Sequence, residues 1–214
     1  MDRLRAETLA EHKAAESHPL QRALALGTLP RALYVRHLAQ LRHVHAALDS
    51  ALQSLAPVHA AIGTVLRPEH LQTSYLDDDL AYLGATAEER AVVSATVRLV
   101  EAIDRMAEGD PLAILGYHYV LEGSNNGSKF LARVVQRAYD LPPGRGTRYM
   151  DPYGDRQKEV WAQFKTDMNA VGFSTEQADA LVASAKVMFG AIAEMGDDLL
   201  VAHPLAAASS PASH

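Results

Sequence analysis

Residues Tyr117-His118-Tyr119-Val120-Leu121-Glu122-Gly123-Ser124-Asn125-Asn126-Gly127-Ser128-Lys129-Phe130 decide how the chain is read. Apolar residues recur at helical spacing before this stretch (Leu112, Leu115, Tyr119) and after it (Phe130, Leu131, Val134, Val135). Its centre, Gly-Ser-Asn-Asn-Gly-Ser, consists of mediocre or poor helix formers, and each Gly costs roughly 1 kcal/mol against Ala in a helix interior. Gly123 and Gly127, at i and i+4, lie on one helix face. A face without side chains lets a flat partner touch the backbone, and so soft a centre is a natural place for a kink or unwinding. Two readings follow. Either small residues allow close helix–helix packing, or a planar ligand lies against a bent helix. The spacing alone does not choose between them.

Composition narrows the field. A chain of 214 residues, 48% apolar and 21% charged, is large enough for a substantial core in one domain or at most two small ones. Ala and Leu are abundant and strand-like alternation is scarce, which favours an all-α fold. The net charge of −6 argues against nucleic acid as a bulk partner. No basic cluster suggests a membrane patch, and no apolar run reaches the roughly 18 residues of a spanning helix. The N-terminus lacks a secretion-signal pattern, and the absence of cysteine removes disulfides, thiolate ligands and a Cys nucleophile. These features are compatible with the cytoplasm.

Working outward, the pattern predicts a first helix over 2–16 with Leu4, Leu9 and Ala15 on its apolar face. His12 has Glu16 one turn later, a carboxylate able to fix the imidazole tautomer and leave the other ring nitrogen free for a metal. An incidental surface pair is the plainer alternative. A turn at 26–30 precedes a long amphipathic helix over 31–55. Its His37, His43 and His45 do not converge, because positions two apart diverge on a helix and positions eight apart are two turns distant; a partly polar face is expected. Further helices are predicted from Pro68 to Leu83 and, behind the Thr86–Glu89 capping box, over 87–107. Asp77-Asp78-Asp79 reads as a solvated face. The organising helix is expected at 111–139, another at 153–170 with Val160, Trp161, Phe164 and Met168 inward, and a final one from the Ser174–Gln177 capping box to about 201. Residues 1–202 are expected to form one helical domain, and the Ala/Ser/Pro-rich 203–214 a disordered tail.

Five segments in register resemble the heme oxygenase family in its bacterial form. They are Leu9-Ala10-Glu11-His12-Lys13-Ala14-Ala15-Glu16; Leu41 to Asp49; Pro68-Glu69-His70-Leu71 with Leu76 to Gly84; Tyr119 to Gly127; and Tyr153-Gly154 with Trp161, Phe164, Lys165, Met168 and Asn169. The resemblance implies a single-domain all-α bundle with heme b sandwiched between the first helix and a kinked distal helix. It implies His12 as the proximal iron ligand and Glu16 as its partner. Gly123 and Gly127 would press on the porphyrin, and Arg5, Tyr119 and Lys165 would anchor the propionates, for which they have the chemistry. Ser124 stands where mammalian members carry Asp, so Asn125 or Asn126 would help Ser124 order the distal water. Arg42 and His45 replace mammalian tyrosines, and His118 is either a polar distal contact or an ordinary helix residue.

The activity implied is cleavage of heme, at once cofactor and substrate, to biliverdin, carbon monoxide and ferrous iron. It consumes O2 and electrons from an external donor such as a ferredoxin or a reductase, since no flavin or nicotinamide fingerprint is present. A bilin-accepting photoreceptor is a further implied partner. Three alternatives stand beside it: a heme-binding carrier or sensor that does not degrade the ring, a di-iron oxidase, for which no ligand set can be assembled, and a purely structural helical domain.

Overall fold

The computed structural model describes residues 1–205. Ten α-helices, and no strand among the described residues, run as α1 (Asp2–Glu7), α2 (Leu9–Ser17), α3 (Pro19–Leu26), α4 (Arg31–Leu55), α5 (Ala60–Val65), α6 (Thr73–Tyr82), α7 (Ser94–Gly109), α8 (Ile114–Ala138), α9 (Gln157–Ala170) and α10 (Thr175–Ala202). Single 3-10 turns at Pro68–His70, Pro111–Ala113 and Gly154–Arg156 lead into α6, α8 and α9. The expected tail lies, from residue 206 on, outside the described residues.

α10 is the spine, packing against α8, α7 and α2 and touching α1, α3 and α4. One core cluster joins α3, the first half of α4 and α6 through Leu24, Tyr34, Leu38 and Leu80. The other joins the second half of α4 with α7, α8, α9 and α10 through Leu48, Ile103, Leu115, Phe164 and Met188. A tight crossing is at Gly116 of α8, where an added Cβ would lie 2.0 Å from Ser184 Oγ and 2.5 Å from the Leu181 carbonyl oxygen of α10. Small-residue packing therefore operates in α8 at Gly116, not at Gly123 or Gly127.

Several sequence expectations are revised. The single helix over 2–16 is broken at Thr8 (φ −106°, ψ 6°), whose buried hydroxyl donates to the Leu4 carbonyl at 2.8 Å; such back-bonding competes with regular helix geometry. Leu9 is 47% exposed, and α2 has no buried residue. The Thr86–Glu89 capping box does form, with Thr86 N–H donating to Glu89 Oε2 and Glu89 N–H to Thr86 Oγ1. It closes only a turn, because α7 starts at Ser94, where its entry is fixed from elsewhere: Val93 N–H donates to Gln40 Oε1 and Ala95 N–H to Asp198 Oδ2. Asp79 is buried rather than solvated, accepting the backbone N–H groups of Arg148 and Tyr149 at 2.8 Å each. These bonds dock the Pro/Gly-rich loop onto α6. The Gly-Ser-Asn-Asn-Gly-Ser stretch stays α-helical within α8.

Candidate heme-binding site

α8 runs helically through its soft centre. Ser124 Oγ donates to the Leu121 carbonyl at 2.7 Å, Asn126 Nδ2 to Gly123 O at 2.9 Å and Ser128 Oγ to Ser124 O at 2.8 Å. The short polar side chains fold back on their own helix. They leave a smooth stripe along Tyr119, Gly123 and Gly127, ending at Phe130, which is 62% exposed. A Cβ on Gly127 would meet nothing within 4 Å; one on Gly123 would lie 3.4 Å from Trp161 Cη2. The stripe is therefore open at Gly127 and walled by Trp161 at Gly123.

Trp161 stacks on Phe164 (5.3 Å, 11°) and lies tilted against Tyr119 at 6.0 Å. Burial raises the Tyr119 pKa, opposed by the hydroxyl of Thr8, at the break after α1, and by the charge of Arg5 on α1. Lys165 is exposed one turn after Trp161, and the N-terminal ammonium holds Asn169 Oδ1 at 2.9 Å, tying α1 to α9. Arg5, Tyr119 and Lys165 thus come from three elements fastened to one another.

His12 is on α2, its ring edge-on to Phe189 of α10 at 5.8 Å. Its Nδ1 is 3.5 Å from Glu16 Oε2, and the side chain is 52% exposed. Glu16 is thus within ion-pair distance of Nδ1, on the same exposed face of α2. α2 and α8 are both held by α10, so a ligand on His12 and a ring on the glycine stripe answer to the same support.

Behind the stripe runs a second, buried and polar one: His118, Glu122 and Asn125. His118 Nε2 is 3.3 Å from His70 Nδ1, and burial takes these residues down to about 3 and about 4. Asn125 Nδ2 donates to Glu122 Oε2 at 3.3 Å, and Tyr153 OH to the same oxygen at 2.7 Å. Burial raises Glu122 to about 8. Asn125 is therefore turned inward, while Asn126, on the outside, accepts from Gln157 Nε2 at 3.4 Å. Ser124 lies beside Tyr149, whose hydroxyl is 3.0 Å from His45 Nε2. His37 and His45 are buried rather than on a partly polar face, with His37 taken down to about 4 by burial. Among the described residues no group of three His, Asp or Glu is placed to hold a metal ion, and no helix is long and apolar enough to cross a membrane. Glu122, Gln72 and Tyr153 were not assigned from sequence; the available signal was an acid on an otherwise buried stripe of α8.

The bundle thus sets the glycine face of α8 and the histidine-bearing α2 on one support, α10. The heme oxygenase family model matches residues 1–198, and the chain belongs to the heme oxygenase family. It is 24% identical over 207 residues to heme oxygenase 2 of Synechocystis sp., covering 92% of this chain and 81% of that protein. The structure is similar to that of heme oxygenase from Leptospira interrogans (TM-score 0.83, 25% identity, 90% of this chain and 95% of that one). It is also similar to Synechocystis heme oxygenase-2 solved with heme and NO (TM-score 0.88, 21% identity, 94% and 85%).

Proposed function

We propose that this protein is a heme oxygenase, binding heme between α2 and α8. The observation that carries the reading is the bare Tyr119–Gly123–Gly127 stripe, on a helix held by the same α10 that holds His12. His12 would ligate the iron through Nε2, with Glu16 orienting the ring from Nδ1. Arg5, Tyr119 and Lys165 would take the propionates, two by charge-assisted hydrogen bonds and one as a neutral donor. The backbone at Gly123 and Gly127 would set how closely the ring approaches α8; Ser124 and Asn126 would order the polar edge of the pocket, and Asn125, turned inward onto Glu122, would act from behind it. Heme supplies the redox iron and is itself consumed, with O2 and external electrons, to biliverdin, carbon monoxide and ferrous iron. The electrons would come from a ferredoxin or a reductase, and a bilin-accepting photoreceptor is a candidate recipient of the product.

The test is addition of hemin to the purified protein, followed by reductant in air. A sharp Soret band that is lost in His12→Ala, then bleaching to biliverdin with release of carbon monoxide, is the expected result. A stable, His12-dependent complex that never bleaches would instead favour a heme carrier or sensor. The Ser124 hydroxyl, committed to the Leu121 carbonyl, is the observation on that side.

A further inference from the structure

Glu122 is a buried acid with no role in the reading above. It is 1% exposed, one residue before Gly123. Its Oε2 accepts from Tyr153 OH at 2.7 Å, Asn125 Nδ2 at 3.3 Å and Gln72 Nε2 at 3.4 Å. Its Oε1 is buried without a partner, and so is Oε1 of Gln72. Every hydrogen-bond donor reaching the carboxyl is neutral, and Glu69 adds like charge nearby. An ionised carboxylate would be an unpaired buried charge beside a second orphaned acceptor, which interiors avoid. A proton on Glu122 removes the charge and supplies the one donor that this cluster of acceptors lacks.

The three partners belong to three elements. Asn125 is on α8 itself, Gln72 precedes α6, and Tyr153 precedes the turn into α9, whose Trp161 meets Gly123. The Tyr153 hydroxyl also lies 3.3 Å from the Glu69 carbonyl oxygen and accepts from Gln72 Nε2 at 3.0 Å. We propose that Glu122 stands in the protein as a neutral carboxylic acid that positions the Gly123–Gly127 segment against α9, and so shapes the ring-binding face. This rests on the heme reading for its purpose, but not for its chemistry.

Burial keeps the proton on up to about pH 8. The other titratable groups acting on the carboxyl are Glu69, Tyr153 and Tyr149; the His70–His118 pair lies one turn back along the same stripe of α8, and His45 is reached through Tyr149. Glu69 has Arg156 at 3.7 Å. Burial lowers His70 to about 4 and His118 to about 3, and it raises both tyrosines. The two histidines and two tyrosines therefore do not change charge between pH 7 and 9.

Two readouts need no hemin. Infrared difference spectra between pH 6.5 and 9.5 should show a protonated-acid carbonyl band disappearing with a midpoint near pH 8, and Glu122→Gln should lack that band. Trp161 is the single tryptophan, so its emission should shift over the same range in the wild type and stay constant in Glu122→Gln. Tyr153→Phe, a second variant that keeps the acid but removes a donor to its ionised form, should move both midpoints to higher pH. A carboxylate signature for Glu122 at pH 6.5, or a Trp161 emission that titrates identically in wild type and Glu122→Gln, would overturn the proposal.

Hemin titration connects the acid to the heme reading. At pH 9, one unit above the midpoint, about a tenth of the molecules keep the proton, so wild-type affinity relative to Glu122→Gln should fall about tenfold from its value at pH 6.5. An unchanged ratio would overturn the positioning role. Hemin that binds no variant at any pH would reject the heme reading, leaving the carbonyl band and Trp161 emission to decide on Glu122.

Discussion

Trp161 lies across the face of Gly123, with its Cη2 3.4 Å from where a Cβ would sit, while Gly127 one turn on faces nothing within 4 Å. The pair is therefore divided, one glycine against an aromatic wall and one against open space. Alanine should gain helix propensity of about 1 kcal/mol at either position. Gly127→Ala should raise the melting temperature of the hemin-free protein, and Gly123→Ala should raise it less because Trp161 must yield slightly. Both should weaken hemin binding in a Soret titration by holding the ring off the backbone. A gain in affinity from either substitution would contradict the bare-stripe reading.

Gly116 behaves in the opposite way. An alanine there would drive its Cβ into Ser184 Oγ and the Leu181 carbonyl oxygen. Overpacking of this kind costs about 1–3 kcal/mol, and the Ser184 hydroxyl would also lose its bond to the Ala113 carbonyl, now 2.7 Å. Urea unfolding of Gly116→Ala should show a lower midpoint, against the higher one of Gly127→Ala.

Asp79 holds two backbone N–H groups, those of Arg148 and Tyr149. Asp79→Ala should cost about 2–6 kcal/mol, since each of the two orphaned donors costs about 1–3 kcal/mol. Burial raises the Asp79 carboxyl to about 6, against the pull of those two bonds. Proteolysis in the 141–150 loop should accelerate in the variant, which limited digestion would read directly.

His37, His70 and His118 are lowered by burial to about 4, 4 and 3, from an ordinary value near 6.5. The unfolded chain therefore takes up protons first as pH falls. The stability these neutral rings contribute is present above pH 6.5 and is lost as pH drops towards 4, by up to about 1.4 kcal/mol per pH unit for each ring. Chemical unfolding at pH 7, 6, 5 and 4 should show this slope, and His37→Leu should reduce it. Glu122 has the other sign. Its folded value of about 8 lies above the ordinary carboxylate range, so its contribution is lost as pH rises from about 4.5 to 8.

Periodicity and punctuation made the helical class legible. The long α4 matches the Leu33–Leu55 repeat, α10 starts behind the Ser174–Gln177 box, and Gly27 closes α3 in the left-handed conformation (φ 70°). Where a local signal met a tertiary partner, the partner prevailed. The Thr86–Glu89 box capped a turn because Gln40 and Asp198 take N–H groups at the entry to α7. Asp79 left the solvent because a distant loop offered it two donors.

By itself the sequence determined an all-α chain whose eighth helix is bare at Gly123 and Gly127, and a histidine with a carboxylate one turn away, because these depend only on residue type and helical spacing. Which glycine packs and which lies open could be decided only in three dimensions. Gly116 looks no different from Gly127 in one dimension, yet Ser184 of α10 lies over the first and nothing over the second. Glu122 is the same case. Its carboxyl is ordinary in the sequence, and only the convergence of Gln72, Asn125 and Tyr153 from three elements, with no cation among them, gives the acid a reason to keep its proton.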